Sequence, residues 1–251
     1  MARYPSSPRA MTATFGPGPL TPAVKWLLAT NVAMYVLALF VPLVTEQLGL
    51  QPQAVFEQGR WWQPATYMFL HADVFHILFN MLALWMFGVE LERLWGTRFF
   101  LRYYAITGIG AGVCTVLVAL LPFTFARGMY HALTIGASGA IFGLLLAYAL
   151  YFPHREIYMY FLFRVPVRIF VTIVGAVALF SAIGGSHGGV AHVAHLSGLA
   201  VGYVYLKSGN PRFHPLAELK YRYLKWKINR MRRKFDVYSG GRADDVNRRI
   251  H

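Results

Sequence analysis

The chain of 251 residues holds a single cysteine, Cys114, so no intrachain disulfide can form, and the place of this residue in an apolar stretch marks packing rather than redox chemistry. Charge is scarce as well: 14% of the residues are charged while 57% are hydrophobic, which excludes a large soluble core. Apolar stretches of about 20 residues recur, the length a helix needs to cross a bilayer of about 30 Å. No His-Glu-x-x-His run is present, and Asp73 is the one carboxylate close to the histidines. The net charge of +14 is accompanied by no nucleic-acid recognition motif, so no nucleic acid is expected as a partner.

The apolar pattern predicts an all-α polytopic membrane protein with six transmembrane helices over 23–44, 74–94, 100–121, 138–152, 165–183 and 190–206. The fourth and sixth are short for a bilayer and are expected to begin below its surface, where irregular backbone lines a wet cavity. Residues 1–22, rich in Pro, Gly, Ser and Thr, read as a disordered cytoplasmic leader without a cleavable signal. Residues 207–251 read as a basic cytoplasmic tail. Within it Leu219, Tyr223, Leu224, Ile228, Met231 and Phe235 recur at helical spacing among Lys and Arg, the pattern of an amphipathic helix lying on anionic lipid. A solvated basic tail that sets topology is the alternative.

Basic residues divide unevenly among the loops. Arg93, Arg98, Arg102, Arg155, Arg164 and Arg168 fall in one set with both termini, and only Arg60 and Arg127 in the other. The excess stays in the cytoplasm. Both termini are therefore predicted inside, with loops 45–73, 122–137 and 184–189 outside.

Three groups carry chemistry on that topology. Ser138, in Gly136-Ala137-Ser138-Gly139, opens the fourth span from the outer side, at a helix start where unpaired amides and the positive dipole end stabilise an oxyanion. His195 lies inside the sixth span. Gly139 and Gly143, facing Ala194, Gly198 and Gly202, form two small-residue stripes able to pack backbone on backbone and bring the two side chains together. His76 and Asn80, one helical turn apart, share a face and suit the donors of an oxyanion site, with His71 beside them to position them or hold water. Zinc on His71, His76, His192 and His195 is the rival reading, but the ligand pattern is poor. No metal and no cofactor are expected.

Taken together, His71, His76 and Asn80, the Gly136–Gly139 run, and Ala194-His195-Leu196-Ser197-Gly198 continuing to Gly202 resemble the rhomboid family of intramembrane serine proteases, over roughly residues 23–206. The resemblance implies a six-helix rhomboid-like bundle in which Ser138 is the nucleophile, His195 the general base and then acid, and His76, Asn80 and the Ser138 amide the oxyanion site. Phe142 falls where family members set an aromatic ring against the histidine, and Glu92 and Gly96 fall on a structural Glu-x-x-x-Gly pattern. Substrates are implied to be transmembrane segments of other proteins, and the setting a bacterial inner membrane with the active site open to the extracytoplasmic side. Two departures stand out: Trp61-Trp62-Gln63 where many members carry Trp-Arg, and the additional His192 one turn before His195. A silent client-binding relative would lack the serine or the histidine, whereas a histidine-based metal transporter would be stopped by chelator.

The charge asymmetry makes a direct prediction. In a Cys114→Ala background, Ser186→Cys is expected to react with an impermeant thiol reagent on intact cells and Ser239→Cys only after lysis; labelling of both from outside overturns the orientation.

Overall fold

Prolines and polar caps punctuate the chain. The computed structural model describes residues 16–159, 163–183, 189–208 and 227–228. Its helices are α1 Pro22–Phe40, α2 Leu43–Leu48, α3 Pro52–Glu57, α4 Gln63–Thr66, α5 Val74–Trp95, α6 Thr97–Ala119, α7 Thr124–His131, α8 Ser138–Tyr151, α9 Val167–Ile183 and α10 Gly189–Ser208. A 3₁₀ turn, Tyr67–Phe69, follows α4, and strands β1 Glu156–Met159 and β2 Phe163–Pro166 precede α9. Pro22, Pro52 and Pro64 sit in the first turns of α1, α3 and α4, where a missing N–H leaves nothing unpaired. Asp73 caps α5 by accepting the His76 N–H at 2.8 Å.

Several expectations are corrected. The first apolar stretch is one helix only to Phe40, because Pro42 cannot continue it and starts α2 instead. Of the six spans expected, three among the described residues, α1, α5 and α6, are by length and composition sufficient to cross a membrane, and α8 and α9 are shorter apolar helices. With 14 residues, α8 is as short as its sequence suggests, about 21 Å at 1.5 Å per residue. By contrast α10 reaches 20 residues, longer than expected. The chain is mostly helical but not all-α: β1 and β2 pair antiparallel with Glu156 opposite Pro166 and Met159 opposite Phe163. Ile157, Tyr158 and Val165 are residues that favour a pleated strand; the first two lie where a loop was read, and Val165 where the fifth span was expected to begin.

The beginning of the described chain is tied down rather than loose. Arg93 donates to the carbonyls of Pro17 and Pro19, and the Trp85 indole donates to Gly18. Beside them the Glu92 carboxylate accepts from Ala23 N at 2.9 Å, Val24 N at 3.0 Å, Thr21 Oγ1 at 2.5 Å and Thr97 Oγ1 at 2.7 Å. One buried carboxylate thus satisfies free donors at the starts of both α1 and α6. Residues 1–15 and the tail segment read as an amphipathic helix, apart from residues 227–228, lie outside the described residues.

The interior is built around α6, which packs on α8, α5 and α4. Phe100, Tyr103 and Tyr104 of α6, Leu84 and Leu91 of α5, and Leu144 of α8 are fully enclosed. Outward, Trp26, Phe40, Phe75, Phe79 and Phe180 are exposed in a quantity that water would not tolerate. The closest approach is between α8 and α10, where a Cβ on Gly198 would collide with the Gly139 carbonyl oxygen. One turn on, a Cβ on Gly202 would meet Gly143 Cα at 3.3 Å.

Gly198→Val is accordingly expected to cost about 1–3 kcal/mol, since overpacking forces the backbones apart. Gly175→Ala, whose new Cβ meets only Leu199 at 3.4 Å, is the neutral control. Thermal unfolding in detergent checks both.

Candidate active site

The segment leading to Ser138 is held by the loop between α1 and α5. The buried Gln63 side chain accepts the Gln51 N–H at 3.0 Å and donates to Gln47 O at 3.4 Å, and the Trp62 indole donates to the same carbonyl at 2.9 Å. Arg60 donates to Glu46 O and Thr66 to Leu48 O. Trp62 and Gln63 therefore do the anchoring at the position where the sequence departs from the commoner pattern. The loop then pairs with the approach to α8 through an antiparallel bridge between Leu50 and Thr134. Tyr67 completes the hold: its carbonyl accepts the Gly136 N–H at 3.0 Å, while its hydroxyl donates to Gly108 O of α6 at 2.8 Å. Sequence reasoning met Gln63 only as a departure from the family pattern, without its partners, and passed over Tyr67. The available signal was a polar tip in an apolar run, which needs a partner once enclosed.

Ser138 is the first residue of α8 and is half-buried. Its Oγ lies 2.8 Å from Nε2 of His195. The His195 ring stacks flat on Phe142, with centroids 4.1 Å apart and planes 5° from parallel, which fixes the imidazole without a carboxylate. His192 meets His195 edge-on at 5.8 Å, and its Nδ1 is buried without a partner among the described residues.

Across the site, the Ala72 N–H donates to His76 Nδ1 at 3.3 Å, which in the neutral ring leaves the proton on Nε2. That Nε2 faces Gly136: a Cβ there would stand 2.7 Å from Nε2 and 3.7 Å from Ser138 Oγ. Gly136 also has φ 125°, so both space and backbone require glycine. Asn80 gives one amide hydrogen to His76 O at 2.8 Å and keeps the other. Gly139 sits under this arrangement, closely backed by Ala111 and the Tyr67 hydroxyl. Ser138, His76 and Asn80 line one cleft of ≈ 450 Å³ with Phe79, Ile141 and Phe142. A hydroxyl paired with an imidazole at a helix start, beside a ring N–H, can attack a carbonyl and stabilise the resulting oxyanion.

The four histidines form two edge-packed pairs, His71 with His76 and His192 with His195. Among the described residues no three His, Cys, Asp or Glu side chains converge as metal ligands. Ser186, the outer position of the labelling test, lies with the rest of 184–188 outside the described residues.

Comparison with known proteins gives the family. The Rhomboid domain family matches residues 58–208, well over half of the chain. Rhomboid protease GluP of Bacillus subtilis is 35% identical over 97 residues, 39% of this chain and 17% of that protein. The rhomboid relative YdcA of the same organism is 30% identical over 191 residues, 74% and 87% of the two chains. Rhomboid protease AarA of Providencia stuartii is 30% identical over 161 residues, 57% and 54%. The chain spans less than two thirds of GluP and AarA. It is an integral membrane protein with a paired serine and imidazole, and it belongs to the rhomboid family.

His71 supplies a pH prediction. Burial, and secondarily the neighbouring His76 ring, push it down from 6.5 to about 4. Between those values the unfolded chain takes up a proton that the folded one refuses, so stability falls as pH drops from 6.5 towards 4. His71→Phe is expected to flatten that slope, read from melting temperatures across the window.

Proposed function

We propose that this protein is an intramembrane serine endopeptidase that hydrolyses peptide bonds in or near the transmembrane segments of other membrane proteins. The observation carrying the proposal is the 2.8 Å pairing of Ser138 Oγ with His195 Nε2 at the start of α8. Ser138 attacks the scissile carbonyl as Nε2 takes its proton, and His195 then returns that proton to the leaving amine. The Ser138 amide, His76 Nε2–H and the second amide hydrogen of Asn80 receive the oxyanion. Phe142 takes over the orienting task of the missing carboxylate, and Gly136 and Gly139 keep the approach open. The name carried by GluP and AarA, rhomboid protease, supports the same reading.

In this reading α1, α5, α6, α8, α9 and α10 form the six-helix bundle of a protease domain over 23–206 in a bacterial inner membrane. Both termini lie in the cytoplasm, the site opens to the other face, and the basic tail rests on anionic lipid. The short α8 starts below the surface, which places Ser138 under the headgroups with water above it.

Labelling by a fluorophosphonate probe, followed by mapping of the modified residue, tests the assignment: the adduct belongs on Ser138. Ser138→Ala and His195→Ala are each expected to abolish cleavage of a transmembrane reporter, and the double variant to be no worse. His192→Ala keeps substantial activity. His76→Ala or Asn80→Ala lowers turnover about 10–10³-fold with little change in apparent affinity. Retained cleavage by purified Ser138→Ala, or an adduct elsewhere, defeats the assignment; a protein that takes no label and cleaves nothing points to the silent relative.

A further inference from the structure

His71 has polar atoms that the proposed reaction leaves unused. It follows the 3₁₀ turn, is 5% exposed, and neither of its ring nitrogens has a hydrogen-bond partner among the described residues. A neutral imidazole offers one N–H and one lone pair, and enclosing both unpaired is unfavourable. Burial keeps this ring neutral, down to about pH 4. The ring is not remote from the chemistry. It meets His76 edge-on with centroids 5.0 Å apart, and His76 Nε2 faces Gly136 beside Ser138. A small ligand that both donates and accepts, and that a site this enclosed admits, is water.

We infer that His71 binds the hydrolytic water and acts in the second half of the reaction, the release of the acyl group from Ser138. This rests on the Ser138 assignment above. In that step the water oxygen bonds to the acyl carbon of the Ser138 ester while its proton passes to Nε2 of His195. The bond from that carbon to Ser138 Oγ then breaks, and Oγ takes the proton back. The products are a carboxylic acid and free Ser138, with no net change at His195. His71 exchanges no proton: its lone-pair nitrogen accepts a hydrogen bond from the water and holds it next to the site. Acylation consumes no water, so it does not need His71. A purely structural His71, by contrast, would weaken both halves alike through His76.

The two halves are separable in the full-length protein in detergent. The fluorophosphonate labelling rate reads the reactivity of Ser138 and involves no water. Recovery of labelling after acylation by an isocoumarin reads the release step. His71→Phe is expected to label within about twofold of the wild type while releasing its acyl group about tenfold more slowly, the effect of one lost hydrogen bond. His71→Asn, which restores a donor and an acceptor, recovers part of that rate. Equal slowing of labelling and release, or release at the wild-type rate, overturns the inference. If His71→Phe does not fold, the same contrast is read on His71→Leu and decides in the same way. Failure of the wild type to label at all would instead overturn the Ser138 assignment, and this inference with it.

Discussion

The backbone contact between Gly139 and Gly198 is the constraint on which the site depends. Ser138 and His195 lie 57 positions apart on separate helices, and they meet because α8 and α10 touch without side chains between them. Within a bilayer there is no hydrophobic force to press helices together, since lipid tails are as apolar as leucine. Close packing at small residues has to supply the attraction. The Tyr103 hydroxyl, donating to Gly143 O at 2.8 Å, ties the same stripe to α6. With His195 one turn before Gly198, the distance between the two backbones sets the distance between imidazole and hydroxyl.

Polar groups follow the same logic of enclosure. Thr107 and Thr115 return their hydroxyls to carbonyls of their own helix, and Tyr148 and Arg155 share the Glu90 carboxylate. Glu92 is the strongest case, because a carboxylate in an apolar span is tolerated only when its lone pairs are taken up. Against that background the unpaired buried atoms are informative. Among the described residues Trp95 accounts for one of them, whereas His71 precedes α5, Thr134 precedes Ser138 and His192 lies one turn before His195. Groups left without protein partners tend to be the places where a structure departs from its own rules for function.

The opposite problem is solved in the loop before α5. An irregular segment next to a wet cleft needs its backbone satisfied from within, and Trp62, Gln63 and Thr66 do this at Gln47 O, Gln51 N–H and Leu48 O, while Tyr67 O takes up the Gly136 N–H. The bridge from Leu50 to Thr134 then carries the rigidity of that loop to Gly136. The approach to Ser138 is thus set by residues that have no chemistry of their own.

What could be read from the chain alone was whatever depends on local pattern. Long apolar runs identify α5 and α6 almost to their ends, because length and hydropathy suffice for a helix that crosses lipid. The candidates Ser138, His195, His76 and Asn80 stood out because polar groups in such runs are rare enough to notice, whereas Phe142 came only from the family resemblance. Pattern did not disclose the hairpin of β1 and β2, the break at Pro42 or the length of α10. A short apolar stretch has the same composition in a strand, a loop or a helix, and only its neighbours decide between them. Nor did it disclose the bonding of Tyr67 or the fourfold bonding of Glu92, since a hydrogen bond across 40 or 70 residues leaves no local periodicity. Sequence determined which residues had unusual chemistry for their surroundings; tertiary packing alone decided which of them came within bonding distance and which, like His71, were enclosed without a partner.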